Sequence, residues 1–571
     1  MGCKGPGRHW KEPTSMYDHR LLPLLLATLA PSLLAAQDGI PDLIVRNASI
    51  YTADSAMPRA QAFAVKDGRF MLVGSNAEVD AIAGPQTERL EAARQFIIPG
   101  MIDAHAHLPN LGRLLRTVNL KGTSSYEEVI ALVKGRADFV PSGTWILGRG
   151  WDQNDWADEN FPTHQALSAA VPRHPVYLER VDGHAALANE MAMNLAGLDR
   201  HTEDPDGGKI LRDADGRPTG TLIDEARLLV AAVIPPVTQR QLTAQIQTGM
   251  REANRWGLTG IHDAGVGVDT VEFYEELAAL GQLTLRYYVM VEAGSPQLLE
   301  LLGYGPRIAM GNHMVWTRAI KVSADGAMGS RGAALLRDYH DDPGNRGLML
   351  ADYDSVLTIA RLALENGFQL NVHAIGDRAN RNVLDAYEEV LSQYPDLDHR
   401  FRIEHAQLLT PDDIPRFAEL GVIPAMQGSH QTGDMYWVAD RIGGQRVEGA
   451  YAWRSLRETG VIIPNGSDFP VEAVNPLISF RAFFTRQDAD GWPEGGWFPG
   501  QRLDREEALK SITIWPAYAA FMENDVGSIT AGKLADFVVL DRDIMTVRTD
   551  EVLGTRVLRT VVGGRTVYQA Q

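Results

Sequence analysis

"IPGMIDAHAHL" (98–108) decides how this chain is read: a Pro-Gly break leads into a short apolar run that ends in two histidines spaced one apart. Side chains at i and i+2 of an extended strand leave on the same face, so His105 and His107 can converge on one cation, which adjacent histidines could not do. An HxH pair alone is weak evidence for a metal site. What matters is which other residues share its strand end.

Working outward from that run, apolar strand-like stretches alternate with helical ones. Examples of the latter are "DYDSVLTIARLALENG" (352–367), "RANRNVLDAYEEVLSQ" (378–393) and "TPDDIPRFAELG" (410–421), the last opened by Thr410 and Pro411 as cap and first-turn proline. Candidate strands lie at 100–107, 259–263, 283–291, 319–324, 369–373, 401–405, 422–427 and 461–468. Strand–helix alternation implies a parallel sheet, and eight such strands predict an α/β fold with a (β/α)8 TIM-type barrel over 99–520. The first two strands are about 150 residues apart, far more than one helix needs, so an insertion at about 109–250 is expected over the barrel mouth. It carries "GRGWDQNDW" (148–156) and "YLERVDGHAALAN" (177–189), whose Asp182 and His184 are candidates to reach the site.

Both ends of the chain are β-patterned. "DLIVRNASIYTA" (42–53), "AFAVKDGRFMLVGS" (62–75) and "RQFIIPG" (94–100) precede the barrel, with a hairpin turn at Asp67-Gly68; "GKLADFVVLDRD" (532–543) and "RVLRTVVGGRTVY" (556–568) follow it, with a turn at Gly563-Gly564. Chain ends often lie close together, so 37–98 and 521–571 are expected to build one small β-sandwich.

With 571 residues and 45% apolar content the chain can bury a large core, and its net charge of −19 repels phosphate backbones, so no nucleic acid partner is expected. Residues 1–36 read as a signal peptide: Lys4, Arg8, Lys11 and Arg20 precede "LLPLLLATLAPSLLAAQ" (21–37), with Met16 as an alternative start. The apolar stretch is short and broken by Pro23 and Pro31, so no stable membrane span is expected; the chain reads as exported, periplasmic or secreted. Cys3, the single cysteine, falls inside the signal, which leaves neither a disulfide nor a cysteine metal site. A small-molecule substrate is the expected partner, and a homo-oligomer is compatible with the composition.

Placed on the strands, metal-competent side chains fall at C-terminal ends: His105 and His107 on the first, Lys321 on the fourth, His373 on the fifth, His405 on the sixth and Asp468 on the eighth. Imidazoles suit zinc and similar divalent ions, and Asp468 can both coordinate and move protons. Lys321 is either a buried lysine paired with Asp325 or Asp468, or a desolvated neutral amine that takes up carbon dioxide as an anionic carbamate.

"PGMIDAHAHL" (99–108), "KVSADGAMGSRGA" (321–333), "NVHAIGDRAN" (371–380), "RIEHAQLL" (402–409), "NGSDFPVEAVNP" (465–476) and "GKLADFVVLD" (532–541) together resemble the amidohydrolase superfamily, and most closely its amidohydrolase family 3 branch, which includes N-substituted formamide deformylase. The resemblance runs from about residue 42 to the end, taking in "GWDQ" (150–153), "DADGRPTG" (213–220) and "IHDAG" (261–265). It implies a barrel with a flanking sandwich and a centre of one or two divalent ions, most simply zinc. His105, His107 and Asp468 would hold one ion and His373 and His405 the other, with a Lys321 carbamate between them. In "AMQGSHQTGDMYW" (425–437) Gly428 stands where much of the branch has proline, so a more flexible loop is expected around His430, Asp434 and Trp437.

The function expected is hydrolysis of a C–N bond in an amide, formamide or cyclic amide by metal-activated hydroxide, with Asp468 as general acid and base. His430 is a candidate oxyanion donor and Arg331 a candidate partner for a substrate carboxylate, the alternative for Arg331 being a salt bridge inside its own loop. The same barrel could act as a lactonase, deaminase or isomerase. A non-catalytic binding protein would be expected to have lost ligands, and all six positions are filled here.

Overall fold

The Pro-Gly break at 99–100 is where one layer of the molecule hands over to the next. In the computed structural model, which describes residues 39–93, 95–181 and 183–571, Phe96–Pro99 is a sandwich strand and Met101–Ala106 is the first strand of a parallel barrel. A Cβ at Gly100 would stand 2.1 Å from Thr259 Oγ1, so only glycine lets the chain pass the neighbouring strand at this point. The expected signal at 1–36, with Cys3, and the candidate Asp182 lie outside the described residues.

The barrel strands follow in chain order around the sheet: Met101–Ala106, Leu258–Val266, Arg286–Glu292, Val315–Ser323, Gln369–Ala374, Arg402–His405 and Ile423–Ala425. Their pairings with one another are all parallel. Residues 463–468 close the ring. The closure is thin, because Pro464 has no N–H to give: Met426 N donates to Pro464 O, Gly466 N to Met426 O, and Ala104 N to Asn465 O, leaving a single parallel bridge between Met426 and Asn465. The expected eighth strand is therefore an extended segment rather than a regular strand. Its side chains reinforce it, with Asp103 accepting from Ser467 Oγ at 2.6 Å and from Ser467 N at 3.0 Å.

Strand alternation divides the core in two. Tyr288 and Met290 join Ile102, Trp316 and Ala319 in one cluster with residues of the 517–526 segment, whereas Tyr287, Val289 and Val291 pack in the larger cluster that includes the surrounding helices. Lys321 continues the Ala319 face, and Asn371 and His373 continue that of Gln369, whose Oε1 accepts from Tyr288 OH at 2.9 Å. Among the helices, Tyr353–Glu365 and Asp377–Leu391 match the expected stretches. The third differs: 411–413 is a turn, closed by Asp413 N and Ile414 N on Thr410 O and by Thr410 Oγ1 on Asp413 Oδ2 at 2.7 Å, and the helix is Ile414–Glu419.

The chain ends meet as two sheets. Phe96–Pro99 pairs antiparallel with Phe537–Leu540, so strands from opposite ends are neighbours in a six-stranded sheet; a four-stranded sheet containing Leu43–Arg46 and Ala62–Lys66 covers it. Phe63 lies between them, edge-on to Phe70 and to Phe537 at 5.1 and 4.9 Å. Both predicted hairpin turns have positive φ at each central residue, 49° and 74° at Asp67-Gly68 and 54° and 74° at Gly563-Gly564. Between the first two barrel strands the chain builds a further six-stranded sheet, from Val118–Asn119 through Gly208–Arg212, with its own core around Trp151 and Leu178. Among the described residues no helix is long and apolar enough to cross a membrane.

Candidate metal centre

At the C-terminal rim of the barrel, Asp468 is the point on which the histidines converge. His107 Nε2 lies 3.0 Å and His105 Nε2 3.7 Å from its Oδ1, and His430 Nε2 lies 3.7 Å from its Oδ2. Ring centroids continue the cluster, His105 to His405 at 4.9 Å, His405 to His373 at 4.6 Å and His405 to His430 at 5.8 Å in parallel stacking. A Cβ at Gly466 would fall 2.4 Å from His105 Cβ, so this glycine is what lets the 463–468 segment run against the HxH strand.

Two of these residues are held in unusual backbone conformations: φ is +74° at His405 and +59° at Asp468. The first explains something that alternation hides. Glu404 and His405 are consecutive and should face opposite ways, yet Glu404 Oε2 sits 2.5 Å from His105 Nδ1 while the His405 ring stacks beside His430. Glu404 faces the barrel interior with Arg402, and the left-handed turn at His405 brings the next side chain to that side as well. Sequence reading missed Glu404 for that reason, although it lies inside the quoted "RIEHAQLL". It also missed Gln427, whose Oε1 meets His405 Nδ1 at 2.8 Å; its position at the end of the seventh strand was the available signal.

Burial pulls His105 and His405 well below the usual histidine range, so both rings are neutral and keep a lone pair for a metal. His107 is also opposed by burial, but the Asp468 carboxylate raises it. Burial works against the charge on Asp468, and the surrounding imidazoles outweigh it, holding the carboxyl well below its ordinary value. Lys321 is 5% exposed, and burial lowers its ammonium against the opposing pull of Glu404, Asp468 and Glu292. Asp103, sealed beneath the HxH pair, is pushed up by burial to about 7 despite its bonds to Ser467.

The donor set fits a divalent ion. The ligand atoms of His105, His107 and Asp468 lie within 4.8 Å of one another, as do those of His405, His430 and Asp468. His430 Nε2 is buried without a hydrogen-bond partner, and Asp468 Oδ1 is buried with the imidazole nitrogens of His107 and His105 gathered on it, a donor set that a cation would complete. This grouping differs from the expected one in pairing His405 with His430; His373 Nε2 leans instead toward Asp325 Oδ1 at 3.4 Å. Asp325 does not pair with Lys321, because its oxygens accept from the backbone N–H groups of Ala334, Ile375 and Gly376.

Other candidates are placed elsewhere. The Arg331 fork is on Asp341, with Nε and Nη2 at 3.2 and 2.9 Å, and Arg441 also contacts that carboxylate. The loop salt bridge is thus the observed state of Arg331, and the substrate-carboxylate role is set aside. His184 Nδ1 meets Asp224 at 2.8 Å on the insertion sheet. Nor is the segment around His430 a loose loop. Gly428–Asp434 is a helix, Gly428 N donates to Asn465 Oδ1 at 3.1 Å, and a Cβ at Gly428 would lie 2.8 Å from Ser479 O. Proline there would lack the N–H and collide with the helix Pro476–Thr485, so glycine serves close packing rather than flexibility.

Comparison with known proteins agrees with this architecture. The chain is 34% identical to Protein LONG AFTER FAR-RED 3 of Arabidopsis thaliana over 93% of its length and 92% of that protein's. It is 30% identical to N-substituted formamide deformylase of Arthrobacter pascens over 92% of its length and 98% of the relative's. In three dimensions it superposes on an uncharacterized metal-dependent hydrolase from Pyrococcus furiosus with a TM-score of 0.74 and 26% identity, covering 88% of this chain and all of that one. Residues 92–568 match the model of the amidohydrolase family, an extent that takes in the whole barrel and the flanking strands from Phe96–Pro99 onward, and the chain belongs to that family.

Proposed function

We propose that this protein hydrolyses a carbon–nitrogen bond of a small non-peptide substrate, an amide, formamide or cyclic amide, with divalent metal held at the barrel rim. The observation that carries the reading is the meeting of His105, His107 and Asp468, with both imidazole nitrogens gathered on one buried carboxylate oxygen. The deformylase relative supports the bond type. His105 and His107 on one side and His405 with His430 or His373 on the other would hold the ion or ions, zinc being the best match for imidazole and carboxylate donors. When bound, such an ion lowers the pKa of water to about 7 and polarises a carbonyl.

The chain's own residues do the rest. Asp468 is ionised, so its Oδ2, the oxygen on the His430 side, accepts the proton from the attacking water and then returns it to the leaving nitrogen as the C–N bond breaks. With His373 beside His405 completing the second set, His430 Nε2 is left to donate to the carbonyl oxygen as negative charge develops there. Lys321, buried and lowered, takes up carbon dioxide at Nζ, releasing a proton and leaving an anionic carbamate. Residues 1–36 direct the protein to export.

The test is a panel of N-formyl amines, N-acyl amino acids, cyclic amides and lactones assayed with the wild type, Lys321→Ala and Asp468→Ala. The expected result is turnover of a C–N substrate that falls by about 10²–10⁴-fold in Asp468→Ala. A similar collapse is expected in Lys321→Ala, both chains remaining folded by circular dichroism. Near-normal activity in either variant, or turnover of lactones alone, contradicts the reading.

A further inference from the structure

Beneath the rim, the barrel interior holds a column of charge that the hydrolytic reading does not use. Glu404 and Arg402 are both 0% exposed and face each other with Oε1 2.7 Å from Nε. Glu404 Oε2 accepts from Arg402 Nη2 at 3.0 Å and meets His105 Nδ1 at 2.5 Å. Arg402 continues downward, donating Nη1 to His262 Nδ1 at 2.9 Å and Nη2 to the Ala104 carbonyl at 2.7 Å.

Packing alone does not call for this arrangement. A buried ion pair is costly to desolvate, and well-packed apolar residues of similar volume usually serve stability as well or better. What the column does specify is a tautomer. The Glu404 carboxylate, paired with Arg402, only accepts, so the proton of the neutral His105 ring sits on Nδ1 and the Nε2 lone pair points to the Asp468 side. His405 has an equivalent support on Nδ1, but from the neutral amide of Gln427.

We propose that Glu404 is a positioning residue for the metal centre. Anchored by Arg402 and through it by His262, its carboxylate fixes the orientation and tautomer of His105 and strengthens Nε2 as a donor to a divalent cation. It acts through His105 and touches neither ion nor substrate. The inference rests on the metal centre of the proposed function but not on the bond that is cleaved.

Two variants of the full chain test it. Glu404→Asp keeps the buried anion beside Arg402 while withdrawing it by one methylene from His105. The double variant Glu404→Gln with Arg402→Met removes both charges together and leaves no unpaired cation inside. Zinc affinity is measured by chelator competition, alongside thermal unfolding of the metal-free proteins. The expected result is a loss of zinc affinity of about 10–100-fold in both, with the metal-free Glu404→Asp melting within a few degrees of wild type. Wild-type zinc affinity in either variant overturns the inference, and so does a Glu404→Asp chain that fails to fold, which would make Glu404 a structural residue. A wild-type chain that takes up no zinc at all refutes the metal centre itself, so the two failures are distinguishable.

Discussion

His399 shows how far a single side chain can be committed by its surroundings. At the N-terminal end of the sixth barrel strand its Nδ1 accepts from Phe401 N at 2.9 Å and its Nε2 donates to Leu420 O at 3.1 Å, so the neutral ring uses both nitrogens. Burial lowers its pKa below the ordinary value of about 6.5. A histidine with a depressed folded pKa binds fewer protons native than unfolded just below that value, so its stabilising contribution is full above about pH 6.5 and is lost as pH falls through the lowered pKa. Urea unfolding from pH 7.5 to 5 should therefore cost the wild type more stability than His399→Gln. Parallel pH profiles would remove this account of the residue. None of this is legible in "DLDHRFRIEH" (396–405), where the histidine looks like any other at a loop end. By contrast, the i, i+2 spacing of His105 and His107 was readable because strand geometry alone puts them together.

At the scale of elements, alternation and helix periodicity located the barrel strands well and failed where local chemistry intervened. The 463–468 segment loses its ladder to Pro464, and Glu404 was hidden by the left-handed φ of +74° at His405. The insertion strands were opaque for a different reason: Ala185–Ala188 reads AALA, a helix-favouring run that becomes a strand because it pairs with Val176–Arg180 and Pro218–Asp224 on either side. Gly428–Asp434 is the element on which the site most depends, since it carries His430. Gly428→Ala would force a Cβ to within 2.8 Å of Ser479 O on the facing helix. We expect it to destabilise the chain by about 1–3 kcal/mol, read as a lower urea midpoint, and to reduce turnover by displacing His430. Unchanged stability would mean that the two helices can part freely.

Across the whole molecule, the barrel and the sandwich are joined by a buried ion pair that the quoted motif "GKLADFVVLD" contains without advertising its role. Asp536 receives Arg286 Nε and Nη2 at 2.7 and 2.8 Å, both side chains being 3% exposed, and also accepts from Gly563 N at 2.7 Å. Removing one partner strands a charge in the interior, so Asp536→Ala should lose about 3–5 kcal/mol of stability. The double variant with Arg286→Met should lose clearly less than the sum of the two single changes, and strict additivity in urea unfolding would deny the pair this joining role. That both chain ends share one sandwich followed from their β patterns and turn residues. The ion pair did not, because the partners are 250 residues apart.

If a cation at the barrel rim makes this chain a hydrolase, metal and activity leave and return together, which elemental analysis with reconstitution measures. Purified protein should carry stoichiometric divalent metal, zinc first among the candidates. Chelation should abolish C–N hydrolysis and added zinc should restore it, while His105→Ala/His107→Ala should neither hold the metal tightly nor recover. Metal-free protein that hydrolyses its substrate at the full rate would show that the rim residues work without a cation.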